Sequence, residues 1–306
     1  MKQIMWALCS LIVLAACSEA PQNIVTLDKN QSDAVVYGED SVALPQETSI
    51  ADSEQFQNNV SASVAMVYRS DMTDTPEGFV LPTKTVRDSH KTCTQFRLSE
   101  SQNPAQCSAV LVAPNLILTA GHCMNYKKDT CADAAFVFGF NQDTATMPKD
   151  QVYFCKQIRV LSFFEKGNLS DYALVELDRA VPDITPVKIK STPMELNDTI
   201  YTLGYPLGTA KKYADGFVRG FDRILAISNL DVYGGNSGGP VFDKKTHELV
   251  GIINSGENDL EETAEGCQMP KLCKDDECMG ENILPTSFIV PSLKEKGEAF
   301  ASPVTH

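Results

Sequence analysis

Basic residues are scarce in this chain. Against 40 Asp and Glu stand 26 Lys and Arg, which leaves a formal net charge of −14 over 306 residues. Nothing in that balance would neutralise phosphates, so nucleic acid is excluded as a partner. Long apolar runs are missing too. The longest, Ile4 to Ala16, falls short of the roughly 20 residues that a helix needs to cross a hydrocarbon core. No internal repeat is present, which argues against a solenoid. Tryptophan occurs once, but 14 Phe supply large side chains for a core. Hydrophobic residues at 43% and charged ones at 22% exclude wholesale disorder and a fibrous chain.

Cysteine, by contrast, is plentiful. Ten Cys exceed what a reducing cytosol favours and fall short of a disulfide-dense miniprotein, so an oxidising compartment is expected. The N-terminus agrees. A charged start and the short apolar run make residues 1–16 a signal peptide. The run ends in Leu14-Ala15-Ala16-Cys17, which resembles the lipobox of bacterial lipoproteins and implies acylation at Cys17. Cleavage after Ala20 is the competing reading. Ser18 after the Cys resembles the outer-membrane sorting pattern. The expectation is an exported outer-membrane or cell-surface lipoprotein, with a periplasmic or secreted protein as the alternative, and lipid as the sole membrane attachment.

Residues 17–58 read as an acidic flexible tether or a cleaved pro-segment. Eight acids there face one base, Lys29, and the few apolar residues keep no period of 2 or 3.6. Residues 59–301 read as the globular domain. Short β-branched runs recur with turns between them: Val64–Tyr68, Ala109–Val112, Leu116–Leu118, Ala135–Phe140, Ile158–Leu161, Ala173–Leu177, Ile200–Leu203, Ile224–Ile227 and Leu249–Ile253. That texture predicts an all-β sandwich or barrel pair, closed by one helix over Ser292–Ala301.

Three stretches carry chemistry. In Leu118-Thr119-Ala120-Gly121-His122-Cys123 a His ends a strand, and no other His or Cys supplies metal spacing around it. In Asp171-Tyr172-Ala173-Leu174 an acid opens an apolar strand. In Gly234-Gly235-Asn236-Ser237-Gly238-Gly239-Pro240 four glycines surround one Ser. No Lys-Ser/Thr follows, so this is not a phosphate loop. A Ser on a tight turn with N–H groups aimed at one spot suits stabilisation of an oxyanion.

In that order, and with Cys107 and Cys123 flanking the His segment, these motifs resemble the chymotrypsin-like (trypsin-fold) serine peptidases, in the style of secreted bacterial members. The resemblance implies two six-stranded antiparallel barrels with the active site between them. It implies His122, Asp171 and Ser237 as the triad, and the N–H groups of Gly235 and Ser237 as the oxyanion hole. It also implies a Cys107–Cys123 disulfide, no cofactor and no metal. The partners it implies are protein or peptide substrates, and the enzyme it implies is a monomer. The residue six before the nucleophile, Asp231, would floor the substrate pocket with Asn254, Ser255 and Gly256 around it. An Asp there favours Lys or Arg before the scissile bond, although it could instead cap the turn before Gly234. Ile253 stands where glutamate-specific relatives carry His.

Departures from the family pattern matter. Asn236 replaces the acid that pairs with a freed N-terminal ammonium in trypsin, and Asn254 replaces a Ser that supports the triad Asp. With Cys9 in the signal and Cys17 acylated, eight Cys remain for four disulfides. A metal knuckle at Cys267, Cys273 and Cys278 has the wrong spacing. The sequence thus reads as a serine endopeptidase. A catalytically silent trypsin-fold binding module is the alternative from another class.

Overall fold

A computed structural model describes residues 36–126, 128–163, 169–190, 192–298 and 300. The signal peptide, Cys17, the first half of the acidic stretch and the expected domain end at 301 lie outside the described residues. Within them, twelve strands close into two antiparallel barrels of six. The first runs in the order Tyr172–Leu177, Leu116–Thr119, Cys107–Ala113, Ser63–Tyr68, Ala134–Val137 and Val152–Ser162. The second runs Thr199–Gly204, Lys212–Asp222, Leu225–Ser228, Glu281–Pro285, Leu249–Ser255 and Pro240–Asp243. This is the expected architecture. Closing each sheet on itself removes exposed strand edges, and the β-branched runs supply the fillings.

One apolar cluster passes through both barrels, joining Val110, Leu118 and Leu174 of the first to Tyr201, Phe242 and Leu284 of the second. The two lobes therefore pack as one body through this shared core. Among the described residues four disulfides form: Cys93–Cys267, Cys107–Cys123, Cys131–Cys155 and Cys273–Cys278. The knuckle reading of Cys267, Cys273 and Cys278 falls away, since all three sulfurs are spent in disulfides.

Two expectations need correction. Residues 36–58, read as the end of a tether, are packed onto the domain. Val36–Tyr37 pairs in parallel with Leu272–Cys273, and a helix spans Glu54–Ala62, where Ser53 Oγ caps the Phe56 N–H at 3.3 Å. Phe56 is fully buried beside Tyr201 and Tyr213, with ring centroids 5.5 and 6.0 Å away. A few well-placed apolar side chains thus offset the ordering entropy that the stretch's acidity seemed to forbid. The closing helix spans Thr286–Glu295, not Ser292–Ala301. It tolerates Pro291 because Ile289 and Leu293, one turn apart, are buried in the shared core.

Candidate active site

His122 sits where the Leu116–Thr119 strand turns into a short 3-10 helix, His122–Met124. Gly121 makes the turn possible. A Cβ there would stand 2.0 Å from the Ser162 carbonyl oxygen and 2.8 Å from Asp171 Oδ1. Asp171, fully buried, opens the neighbouring Tyr172–Leu177 strand. Its Oδ1 accepts the His122 backbone N–H at 2.7 Å and its Oδ2 lies 2.6 Å from His122 Nδ1. In a neutral imidazole, an Nδ1–H donated to that carboxylate leaves Nε2 as the acceptor. The His122 side chain keeps 34% of its surface open to solvent. A buried acid holding a partly exposed imidazole is the arrangement that a general base requires.

The Gly234–Pro240 turn belongs to the second barrel, and its glycines answer to close approach. Gly235 has φ +94°, and a Cβ there would meet the Tyr205 carbonyl oxygen at 2.5 Å. Gly238 has φ +77°, and its Cβ would meet Thr119 Oγ1 at 2.2 Å. Gly234 N–H donates to Asp259 Oδ2 at 2.6 Å, and Gly238 N–H to the Ile253 carbonyl at 2.8 Å. Between them, the N–H groups of Gly235 and Ser237 donate to no group among the described residues. Two undirected donors flanking one hydroxyl suit an oxyanion.

The structure brings Ser237 to the His122 corner through its backbone. The Ser237 carbonyl accepts the Ser108 N–H at 2.9 Å and lies 3.6 Å from Cys123 Sγ. Its hydroxyl makes no hydrogen bond among the described residues, a looseness common where no substrate is bound. Cys107 and Cys123 are joined in the expected disulfide, which pins the His122 turn to the start of the preceding Cys107–Ala113 strand. Those sulfurs are therefore not thiolates that could join His122 as metal ligands.

Ser108 escaped the sequence reading. Its hydroxyl donates to the Gly235 carbonyl at 2.7 Å and accepts the Tyr205 N–H at 3.0 Å, so one side chain stitches the two barrels together at the Gly234–Pro240 turn. A lone Ser in an apolar strand was the signal. Asp259, holding Gly234, gave none.

Asp231 is not a free carboxylate at a pocket floor, nor does it cap the turn before Gly234. It is buried, and both oxygens are occupied from the N-terminal segment. Oδ1 accepts the Tyr37 N–H at 2.7 Å; Oδ2 accepts the Ser41 N–H and the Ser41 hydroxyl, each at 2.7 Å. Asn236, also buried, turns its Oδ1 toward the Tyr233 N–H at 3.4 Å, so the neutral side chain finds its partner within the turn. Asn254 is buried, with Oδ1 accepting from Ser255 Oγ at 3.2 Å and Nδ2 without a partner among the described residues. It makes no hydrogen bond to Asp171. Ser255 and Gly256 are half-buried.

Residues 107–252 match the family model of the trypsin-like peptidase domain. Among curated proteins no sequence matches. Among solved structures, the chain is similar to a Glu endopeptidase solved in complex with MPD, at 18% identity and a TM-score of 0.52, covering 86% of this chain and 100% of that one. It is also similar to the serine endoprotease from Yersinia pestis, at 14% identity and a TM-score of 0.48, covering 79% of this chain and 64% of that one. The first of these likenesses shows the fold, the trypsin-like pair of barrels.

Proposed function

We propose that this chain is a serine endopeptidase, exported and lipid-anchored at Cys17, with Ser237, His122 and Asp171 as its triad. The observation that carries the reading is the buried Asp171 bonded twice to His122, whose neighbour Cys123 has its Sγ 3.6 Å from the carbonyl of Ser237, in a glycine turn with two N–H groups unpartnered among the described residues. The trypsin-like family match over residues 107–252 supports it, and four disulfides support export.

The chemistry follows from need. A serine hydroxyl is a weak nucleophile, so His122 Nε2 takes its proton as Ser237 Oγ adds to the substrate carbonyl. Asp171 stabilises the imidazolium and holds the ring in the right tautomer. The negative oxygen of the tetrahedral intermediate accepts from the N–H groups of Gly235 and Ser237. Collapse breaks the C–N bond, and the departing amine takes the proton from His122. Water, deprotonated by the same nitrogen, then hydrolyses the Ser237 ester and restores the hydroxyl.

A fluorophosphonate probe tests this directly. Wild-type protein should be labelled and Ser237→Ala should not, while Asp171→Asn should lower turnover about 10⁴-fold by freeing the wrong tautomer. A folded wild-type protein that resists the probe would end the enzyme reading. Fractionation of Cys17→Ser tests the anchor.

A further inference from the structure

We infer that Asp231 is a positioning residue which uses the internal segment Val36–Ala43 to hold the nucleophile turn, so that the chain is competent with its N-terminus uncut. The inference rests on Ser237 being the nucleophile. It begins from a mismatch: an acid placed where a substrate pocket would want a free charge has none of its acceptor capacity facing a pocket.

The segment is stitched down along its length. Val36 N–H donates to the Lys271 carbonyl at 3.0 Å, and Gly38 N–H to the Cys273 carbonyl at 2.9 Å. Gly38 turns at φ +66°, with the Asp275 carboxylate so close that a Cβ would meet it at 3.1 Å. Asp40 takes Arg97 Nη2 at 2.7 Å. Ala43 and Tyr213 exchange two backbone bonds of 2.9 Å. Between those stitches, Tyr37 and Ser41 aim three donors at one carboxylate. The Ser41 hydroxyl lies 3.2 Å from the Asp215 carbonyl and accepts the Asp215 N–H at 3.4 Å, but its one proton is drawn to the nearer, charged Asp231 Oδ2 at 2.7 Å.

On the other side, Asp231 opens the chain that runs through Tyr233 and Gly234 to Ser237. Gly234 is fastened on both faces, its N–H to Asp259 and its carbonyl to the Leu207 N–H at 2.5 Å. Asp231 is the third fastening. Beside it, the stretch before the turn is held by Leu230, Val232 and Tyr233 packing in the second core and by Asn229 Oδ1, which accepts the Phe217 N–H at 2.8 Å. Burial pushes the Asp231 carboxyl up to about 6, against the Ser41 and Tyr37 hydrogen bonds that pull it down. Such a group is costly to leave without its donors. Docking of the segment and order in the turn therefore come as one event.

None of the donors is a chain terminus. Two are backbone amides inside the chain and the third is a hydroxyl. Neutral Asn236 likewise asks for no ammonium, since its Oδ1 is met by the Tyr233 N–H. The device that orders the turn is thus present in a chain still joined to whatever precedes Val36.

The test uses the full chain with Asp231→Asn, Ser41→Ala and Ser41→Thr, each checked by thermal melting. Three readings are taken: the fluorophosphonate labelling rate, the split of kcat and KM on a peptide substrate, and intact mass of the labelled species. Hydrogen bonds to a charged group predict losses of about 10-fold for Ser41→Ala and about 100-fold for Asp231→Asn, in labelling rate and kcat more than in KM. Ser41→Thr, which keeps the hydroxyl, should stay within about twofold of wild type. The labelled wild-type species should retain residues upstream of Val36. Folded Ser41→Ala or Asp231→Asn protein that labels at the wild-type rate overturns the inference, as does label confined to chains cut within residues 36–42. So does an Asp231→Asn protein whose only change is a lost preference for Arg over Leu before the scissile bond. If Asp231→Asn does not fold, the Ser41 pair decides. Failure of wild type itself to label would strike the nucleophile assignment instead.

Discussion

Charges that sit inside strands must be answered on the spot, and Glu176 shows how. It lies buried in the Tyr172–Leu177 strand, and Lys156, Gln157 and Arg159 on the adjoining strand all donate to it. Those bonds hold its carboxyl down at about 2, against an ordinary 4.5. A carboxylate depressed on folding contributes stability above its ordinary value and loses it as the pH falls toward the folded one. Thermal melts should therefore show the wild type weakening between pH 4.5 and about 2, with Glu176→Gln less stable at neutral pH and flatter across that window. An equal slope in both proteins would assign the acid limb to other carboxylates. The same scale explains what could be read in advance. His122, Asp171 and Ser237 were legible because each sits among near neighbours, Gly121, Tyr172 and the glycines, that its geometry requires. The partners of Asp231 and Ser108 were not. Asp231 meets Ser41 across 190 positions and Ser108 meets Gly235 across 127, and no local pattern announces a contact at that range.

Elements follow the same logic of near and far. Every strand announced by a β-branched run is present, although the run from Ala135 stops as a strand at Val137, before Gly139 turns at φ +74°. The Lys212–Asp222 strand was silent, since Gly216, Gly220 and its charges break the pattern that barrel closure then overrides. The Glu54–Ala62 helix was silent for another reason. Its buried face is mainly Phe56 and Val60, one turn apart, which is too little for a periodic signal. What fixes it is a pocket of distant aromatics, Tyr201, Tyr213 and His247. Phe56→Ala should accordingly cost about 3–5 kcal/mol in denaturant unfolding, the range for emptying a large buried aromatic. A loss below about 1 kcal/mol would mean the helix does not hold the segment, and the tether would regain residues 36–58.

At the scale of the whole molecule the question is what could hold so acidic a protein at a membrane. No helix among the described residues is long and apolar enough to cross one. A net charge of −14 is repelled by anionic headgroups, so electrostatics cannot supply the attachment either. If the protein is membrane-bound through the proposed acylation of Cys17, the lipid must do all of it. One acyl chain gives only marginal binding, whereas acylation of both the thiol and the amine of a lipobox cysteine gives a stable anchor. The reach is bounded as well: fully extended, the chain from Cys17 to Val36 spans at most about 65 Å, and the packed body begins there. Cys17→Ser should therefore move the protein wholly from the membrane fraction to the soluble exported fraction, with no residual salt-sensitive pool. Probe labelling of Ser237 should be unchanged, because the contacts that order the turn among the described residues lie at or beyond Val36. Wild-type protein found soluble, with its N-terminus at Glu19 or Pro21, would refute the anchor and leave the peptidase untouched.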